Sequence, residues 1–314
     1  MSSNRISTPF GAESTAADVI AGVDLTEKRA VVTGGSSGIG TETARALASA
    51  GAEVTLAVRD VEAGNRVAGN IVTTTGNSNV LVDRLDLSDQ TSVADFVARW
   101  SGPLDILVNN AGIMATPELR TKEGWELQFA TNHLGHFALT TGLHDALEAA
   151  GQSRVVVVSS VGHVNGEVLF DDLDFTQHPY DAWAAYSQSK TANILFAVEA
   201  ARRWANDGIA VNALNPGRIA DTNLSRHMEM PPATFDPKGR TGVSVKNIEQ
   251  GAATSVLLAA SPLVDGVTGR YFEDCQEAVP FETGVRRGVT EYALDPAKAE
   301  RLWQVSIDKI MGAR

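Results

Sequence analysis

From Arg29 onward, short β-branched runs alternate with longer segments in which apolar and polar positions follow a helical period. Most of the short runs are apolar on both faces, as strands are in a parallel sheet covered on two sides. They predict strands over 29–33, 53–58, 80–84, 105–108, 154–159, 209–214 and 269–272. The helical pattern predicts helices over 41–50, 61–73, 90–100, 124–150, 184–206 and 247–260. Alternation of this kind implies right-handed β-α-β units, hence an α/β fold with a single doubly wound parallel sheet of about seven strands and helices on both faces. Ala297, Leu302, Trp303, Ile307 and Ile310 form an apolar face that predicts a closing helix over 295–311. Residues 1–24 are expected to form a loose arm with a short helix, capped by Ser14 or Thr15 and ended near Gly22. The remainder, 25–314, is expected to be one domain, since no internal repeat or linker divides it.

Two segments interrupt the alternation. The stretch 161–183 is an insertion of mixed character, and a variable surface loop accounts for it as well as a functional one does. The stretch 222–245, containing Met228, Met230, Pro231, Pro232 and Pro237, directly follows a strand end. Open α/β sheets bind ligands at that position, so this stretch is expected to be a substrate lid, with Leu224, Met228, Met230 and Phe235 as an apolar lining.

Composition narrows the function classes. Apolar residues make up 43% and charged residues 20%, enough for a sizeable core. A formal net charge of −12 argues against a broad nucleic-acid surface. No apolar run approaches the ~20 residues of a membrane span, and the polar start of the chain lacks a signal-peptide pattern. A cytoplasmic location is the expectation. The single cysteine, Cys275, excludes an intrachain disulfide and a cysteine-based zinc site. His133, His136, His144, His163, His178 and His227 show no consistent ligand spacing, so they read as packing or surface residues and no metal is implied.

The first predicted strand runs into Thr33-Gly34-Gly35-Ser36-Ser37-Gly38-Ile39-Gly40, and a helix follows. Glycines let a phosphate approach backbone N–H groups at the positive end of that helix, so the turn suits a pyrophosphate. The spacing differs from G-x-G-x-x-G, and alone such a turn is often only a tight connection. A second signal is Tyr186-Ser187-Gln188-Ser189-Lys190. Residues four apart share a helix face, and a neighbouring ammonium favours phenolate, so the pair predicts a tyrosine of lowered pKa that can give and take a proton.

Together these motifs resemble the short-chain dehydrogenase/reductase family, from about Leu25 to Ile310. Thr33–Gly40 matches its T-G-x-x-x-G-x-G turn, Asp86-Leu87 the pair flanking adenine, and Asn109-Asn110-Ala111-Gly112 its N-N-A-G element. Asn132, Ser160 and Asn215-Pro216-Gly217 stand where the family has its catalytic asparagine, its catalytic serine and a motif after the sixth strand. The spacing from Ser160 to Tyr186, the segment 186–196, Arg59-Asp60 and the ending Ala299-Glu300-Arg301-Leu302-Trp303 look like the retinol-dehydrogenase-like branch.

The resemblance implies an NAD(P)-dependent oxidoreductase that interconverts an alcohol and a ketone or aldehyde, with Asn132, Ser160, Tyr186 and Lys190 catalytic. It implies a cofactor held by Gly34, Ser36, Ser37, Gly38, Ile39, Gly40, Arg59, Asp86, Leu87, Asn110, Ala111, Gly112, Tyr186, Lys190, Pro216, Gly217, Ile219 and Thr222. At Thr222 the chain departs from the pattern: four residues separate it from Gly217 where the family commonly has three. Where NAD-preferring members end the second strand with an acid, this chain has Val58 followed by Arg59, which favours NADP(H) over NAD(H). A homodimer or homotetramer is implied as well. A dinucleotide-binding sensor or scaffold is the alternative, against which the intact Tyr, Lys, Ser and Asn set argues. A sugar-nucleotide epimerase or dehydratase on a related fold is disfavoured by the glycine spacing.

Overall fold

The computed structural model describes residues 5–219, 222, 224 and 241–312. In chain order its elements begin with α1 (Ala16–Ile20), β1 (Arg29–Thr33), α2 (Gly38–Ser49), β2 (Glu53–Val58), α3 (Val61–Thr75), β3 (Val80–Arg84) and α4 (Gln90–Arg99). They continue with β4 (Ile106–Asn109), α5 (Leu127–Phe129), α6 (Gly135–Gly142), α7 (His144–Ala149), β5 (Ser153–Val158) and α8 (Ala182–Arg203). The last are β6 (Ile209–Asn215), β7 (Arg218–Ile219), β8 (Val245–Lys246), α9 (Ile248–Ala260), β9 (Tyr271–Glu273), β10 (Gln276–Glu277) and α10 (Pro296–Gly312).

The main sheet has eight strands in the order β10-β9-β6-β5-β4-β1-β2-β3, not the expected seven. The additional strand is β10, which pairs antiparallel with β9 after a turn through Asp274 and Cys275, both at positive φ. Two residues cannot display a strand period, which is why the pattern along the chain did not announce it. The other seven strands pair parallel. β7 and β8 form a separate two-stranded pair on either side of residues 220–244.

Successive residues of the central strands feed opposite faces, as the strand period requires. In β1, Val31 packs into one core and Ala30 and Val32 into the other. The first core lies under α4, α6, α8 and α10, the second under α1, α2 and α9. The run expected as one helix over 124–150 is instead α5, a π-helical turn at Ala130–Leu134, α6, a break at Leu143, and α7. α1 matches expectation, with Thr15 and Asp18 in a reciprocal capping box.

Helix α8 departs most from the amphipathic rule. Its small and polar residues are buried nearly all round, from Ala185 to Ala201, between the sheet and α10. Ser189 donates to the Tyr186 carbonyl, Gln188 to the Leu173 carbonyl and Asn193 to the Val158 carbonyl, so burial strands none of these groups. Trp303 of α10 stacks on Phe196 of α8 with centroids 5.9 Å apart. The catalytic-type motif is thus carried on a rigid, enclosed helix whose start is fixed by Asp181 accepting from Trp183 N and Ala184 N.

Candidate active site

From β1 the chain steps outward to β2 and β3, and from β4 it steps the other way to β5 and β6. This reversal opens a crevice at the carboxyl ends of β1 and β4, the place where such sheets bind ligands. Many of the predicted residues converge there because they follow strand ends, while Asn132, Tyr186 and Lys190 are brought in by helical segments. The glycine turn follows β1, Arg59 follows β2, Asp86 follows β3, Asn110 follows β4, Ser160 follows β5 and Pro216 follows β6.

The glycine turn sits directly on the loop after β4. A Cβ on Gly34 would lie 2.9 Å from Ala111 Cα, and one on Gly40 would lie 2.4 Å from Asn110 Nδ2. Asn110 Nδ2 donates to the Thr33 carbonyl at 2.8 Å, and the backbone N–H groups of Asn110 and Ala111 donate to Thr33 Oγ1 at 2.9 and 3.0 Å. Gly38 has φ +55°, a conformation that favours glycine. Ser37 occupies the N-cap of the 12-residue α2, yet its hydroxyl makes no capping bond. Its hydroxyl stands at the positive end of the helix dipole. Thr222 lies against this same turn, its methyl 3.4 Å from where a Gly38 Cβ would be. Gly217, at φ +86°, lies against Lys246, and Ile219 packs across Gly251 beside Ile39.

Arg59 is exposed at the tip of β2, while the neighbouring Asp60 is occupied in capping α3 through Ala63 N at 2.9 Å. Asp86 accepts from Ser88 N and Ser88 Oγ, and its own N–H donates to Ser92 Oγ. Leu87 is buried, and Gly135 approaches so closely that a Cβ there would lie 2.2 Å from the Leu87 carbonyl oxygen.

On the other side of the crevice, Ser160 Oγ accepts from Gly162 N at 2.9 Å and lies within hydrogen-bonding reach of the Tyr186 phenol. Tyr186 is buried, and burial pushes its pKa up to about 12 against the lowering effect of the Ser160 hydrogen bond. Burial likewise pulls Lys190 down to about 8. Its Nζ lies 5.8 Å from the Tyr186 ring centre and donates to the Val158 carbonyl at 3.1 Å. The expected lowering of the tyrosine pKa by the lysine is therefore not found: desolvation of the phenolate dominates, and the Ser160 hydrogen bond is what acts against it. Asn132 Oδ1 accepts from Ile113 N at 2.9 Å, and its Nδ2 donates to the Ile113 carbonyl and to Ser189 Oγ. A Cβ on Gly112 would lie 3.3 Å from Asn132 Oδ1 and 3.5 Å from Lys190 Nζ, so this glycine keeps the gap between them open.

The predicted Asn132, Ser160, Tyr186 and Lys190 are thus brought to one place. Of the expected lid, Met228, Met230 and Phe235 lie outside the described residues. Leu224 joins Met114, Ala115, Ala182 and Trp183 in an apolar cluster around Tyr186.

The histidines are where reading from the sequence fell short. His133, His136 and His163 are buried, and desolvation lowers them to about 3, 4 and 4, so they are neutral. His163 Nδ1 donates to the Ser160 carbonyl at 2.7 Å. His136 Nδ1 lies 3.0 Å from the Asn132 carbonyl and its Nε2 lies 2.8 Å from Thr33 Oγ1. Each stands three or four residues after a predicted site residue, a spacing that could have flagged it. Among the described residues, one group with metal-ligand character, His144, Asp145 and Glu148, lies on α7 near the opposite end of the sheet. There His144 Nε2 already faces Asp207 at 3.0 Å.

The chain is similar to known proteins over most of its length. The family model described as "short chain dehydrogenase" matches residues 28–231. A "Probable oxidoreductase" of Streptomyces antibioticus is 53% identical over 300 residues, covering 93% of this chain and 100% of that protein. "Retinol dehydrogenase 13" of Homo sapiens is 39% identical over 285 residues, covering 89% of this chain and 83% of that one. A crystal structure of a protein from Mycobacterium paratuberculosis superposes with a TM-score of 0.74 at 35% identity, over 95% of this chain and 98% of the other. The chain belongs to the short-chain dehydrogenase/reductase family, in its retinol-dehydrogenase-like branch. It is accordingly an NAD(P)-dependent oxidoreductase. No helix among the described residues is long and apolar enough to cross a membrane.

Proposed function

We propose that the protein interconverts an alcohol and a ketone or aldehyde on a largely apolar substrate, with NADP(H) as the preferred cofactor and Tyr186 as proton donor and acceptor. The observation that carries this reading is the buried Tyr186 phenol, hydrogen-bonded to Ser160 and ringed by Met114, Ala115, Trp183 and Leu224. A wall of this kind suits a hydrocarbon-rich molecule better than a sugar.

The residues present fit a dinucleotide. Ser36, Ser37 and the N–H groups of Gly38, Ile39 and Gly40 would hold its pyrophosphate, and Gly34, which has no Cβ, lets the turn rest on Ala111. Arg59 would meet a 2′-phosphate with charge-assisted hydrogen bonds. Asp86 and Leu87 would flank the adenine, and Asn110, Ala111, Gly112, Pro216, Gly217, Ile219 and Thr222 would line the remaining length. When bound, the nicotinamide supplies or takes up the hydride.

In the reducing direction, Tyr186 would give its hydroxyl proton to the substrate oxygen as that oxygen gains negative charge. Ser160 would hydrogen-bond the same oxygen and fix its distance from the phenol. Lys190, with two N–H bonds beyond the one to Val158, would bond the ribose hydroxyls and stabilise the phenolate left behind. Asn132 would hold a water linking Lys190 to solvent across the gap at Gly112. In the oxidising direction the same groups act in reverse, with phenolate as base. The test is to follow NADPH absorbance with a panel of apolar ketones and aldehydes, phosphorylated sugars and small polyols. Turnover confined to the sugars or polyols would defeat the apolar reading, and cofactor binding without any turnover would favour a sensor.

A further inference from the structure

We propose that His136 is a positioning residue that couples the cofactor-binding turn to the catalytic asparagine through one directed chain of hydrogen bonds. The inference rests on the oxidoreductase reading above for the roles of the two ends. The chain itself is fixed by the donors and acceptors present.

The Asn132 carbonyl can only accept, so the contact at 3.0 Å places the ring proton on His136 Nδ1. The ring is buried and neutral, held so by desolvation and secondarily by the charge of Lys190, so Nε2 is an acceptor. Thr33 Oγ1, 2.8 Å away, must then donate to it. Thr33 Oγ1 also accepts two backbone N–H groups, from Asn110 and Ala111. Its one proton goes to His136 in preference to the Val108 carbonyl at 3.3 Å. The sequence of donors therefore runs from the loop after β4, through the last residue of β1, through His136, to the Asn132 carbonyl in the π-helical turn. No member can reverse without leaving a buried group unpaired.

Its ends are the two things the proposed reaction must hold in register. Thr33 opens the turn that would carry the pyrophosphate, and Asn132 clasps the Ile113 backbone and Ser189 beside Lys190. A residue that only filled the space would be satisfied by any ring. His136 instead ties together elements far apart in the chain by its two nitrogens separately, and that separation can be tested.

Three variants dissect it. His136→Gln places an amide oxygen near the position of Nε2 and keeps the Thr33 link. His136→Asn places an amide N–H near the position of Nδ1 and keeps the Asn132 link. His136→Phe keeps the ring volume and neither bond. NADPH affinity by fluorescence titration should stay within about threefold of wild type for His136→Gln and fall about tenfold for the other two, the scale of one buried hydrogen bond. The kcat on a substrate the wild type accepts should stay within about threefold for His136→Asn and fall about tenfold for the other two. Independently of activity and of folding of the variants, ¹⁵N NMR of histidine-labelled wild type should show His136 as the neutral Nδ1–H tautomer throughout pH 5 to 8, on the order of the range where a free imidazole titrates. An Nε2–H tautomer would overturn the chain. So would a His136→Phe variant with unchanged affinity and kcat, or equal losses in all three variants that track their melting temperatures. A wild type that binds NADPH and turns over nothing would instead sink the oxidoreductase chemistry, with tautomer and affinity still deciding the link.

Discussion

The two sides of the crevice are built from different material. On the side of β1, α2 and β4, glycine backbone is packed close against its neighbours: Gly34 rests on Ala111, and Gly40 on the Asn110 side-chain amide and the Gly34 carbonyl. On the side of β5 and α8, the surface facing the crevice is made of side chains: a phenol, a hydroxyl, an ammonium and an apolar wall. On the first side a substitution acts through steric fit, and on the second through chemistry. Cofactor binding and turnover should therefore fail separately.

The largest effect expected is on the second side alone. Tyr186→Phe keeps the ring but removes the transferable proton, so kcat should fall by at least ~10²-fold, while NADPH titration stays close to wild type. A variant that retained most of its turnover would remove Tyr186 from the mechanism. The same side has a pH signature. Phenolate is the base for alcohol oxidation, so kcat/KM should rise with pH. Burial, set against the Ser160 hydrogen bond, puts Tyr186 up at about 12, and the positive charge of the oxidised nicotinamide acts to lower it, so the inflection should fall below that value. For Lys190→Ala the inflection should move upward; one that moved downward would contradict the electrostatic role of the lysine.

On the first side, Gly40→Ala would force a Cβ to within 2.4 Å of Asn110 Nδ2 and 2.6 Å of the Gly34 carbonyl oxygen. An overpacking cost of about 1–3 kcal/mol should appear as a lowered melting temperature together with weakened NADPH binding. If stability and affinity were both unchanged, the backbone contact would not be what shapes the turn. Arg59→Ala should be milder, weakening NADPH on the order of tenfold and leaving NADH nearly untouched. Equal losses for both cofactors would remove the 2′-phosphate assignment. Smallest of all, Trp183→Leu should raise KM for bulky apolar substrates by about threefold with kcat preserved, since it trims a wall without touching the reacting atoms. A loss confined to kcat would move Trp183 from the wall to the chemistry.

Much of this was legible in the sequence because the first side is written in glycines and the second in rare reactive residues. β-branched runs announced the parallel strands, and the spacing of Tyr186 and Lys190 announced one helix face. What stayed hidden depends on register or on long-range pairing. A single π turn at Ala130–Leu134 changes which carbonyl meets which N–H without altering the composition of the run. Asn132 within that turn bonds Ile113, and Gly135 just after it lies on Leu87, contacts that no local window contains. His136 and His163 read as filler because an imidazole's role lies in where both its nitrogens point, and the second partner of each, Thr33 and Thr290, is far away in the chain.

The ends of the sheet bear on a different matter, the behaviour of the protein at high concentration. An unpaired strand edge is a template for another chain. At one end, the N-terminal segment lies alongside β10: Glu277 N donates to the Ile6 carbonyl, and the Gln276 side chain bonds Thr8 in both directions. At the other end, β3 shows Leu81 to solvent but follows it with Asp83, paired to Arg99, and Arg84. Residues 6–8 lie along one edge, and the other, the outer side of β3, is interrupted by charge, so neither edge among the described residues offers a long uncharged strand for another chain to pair with.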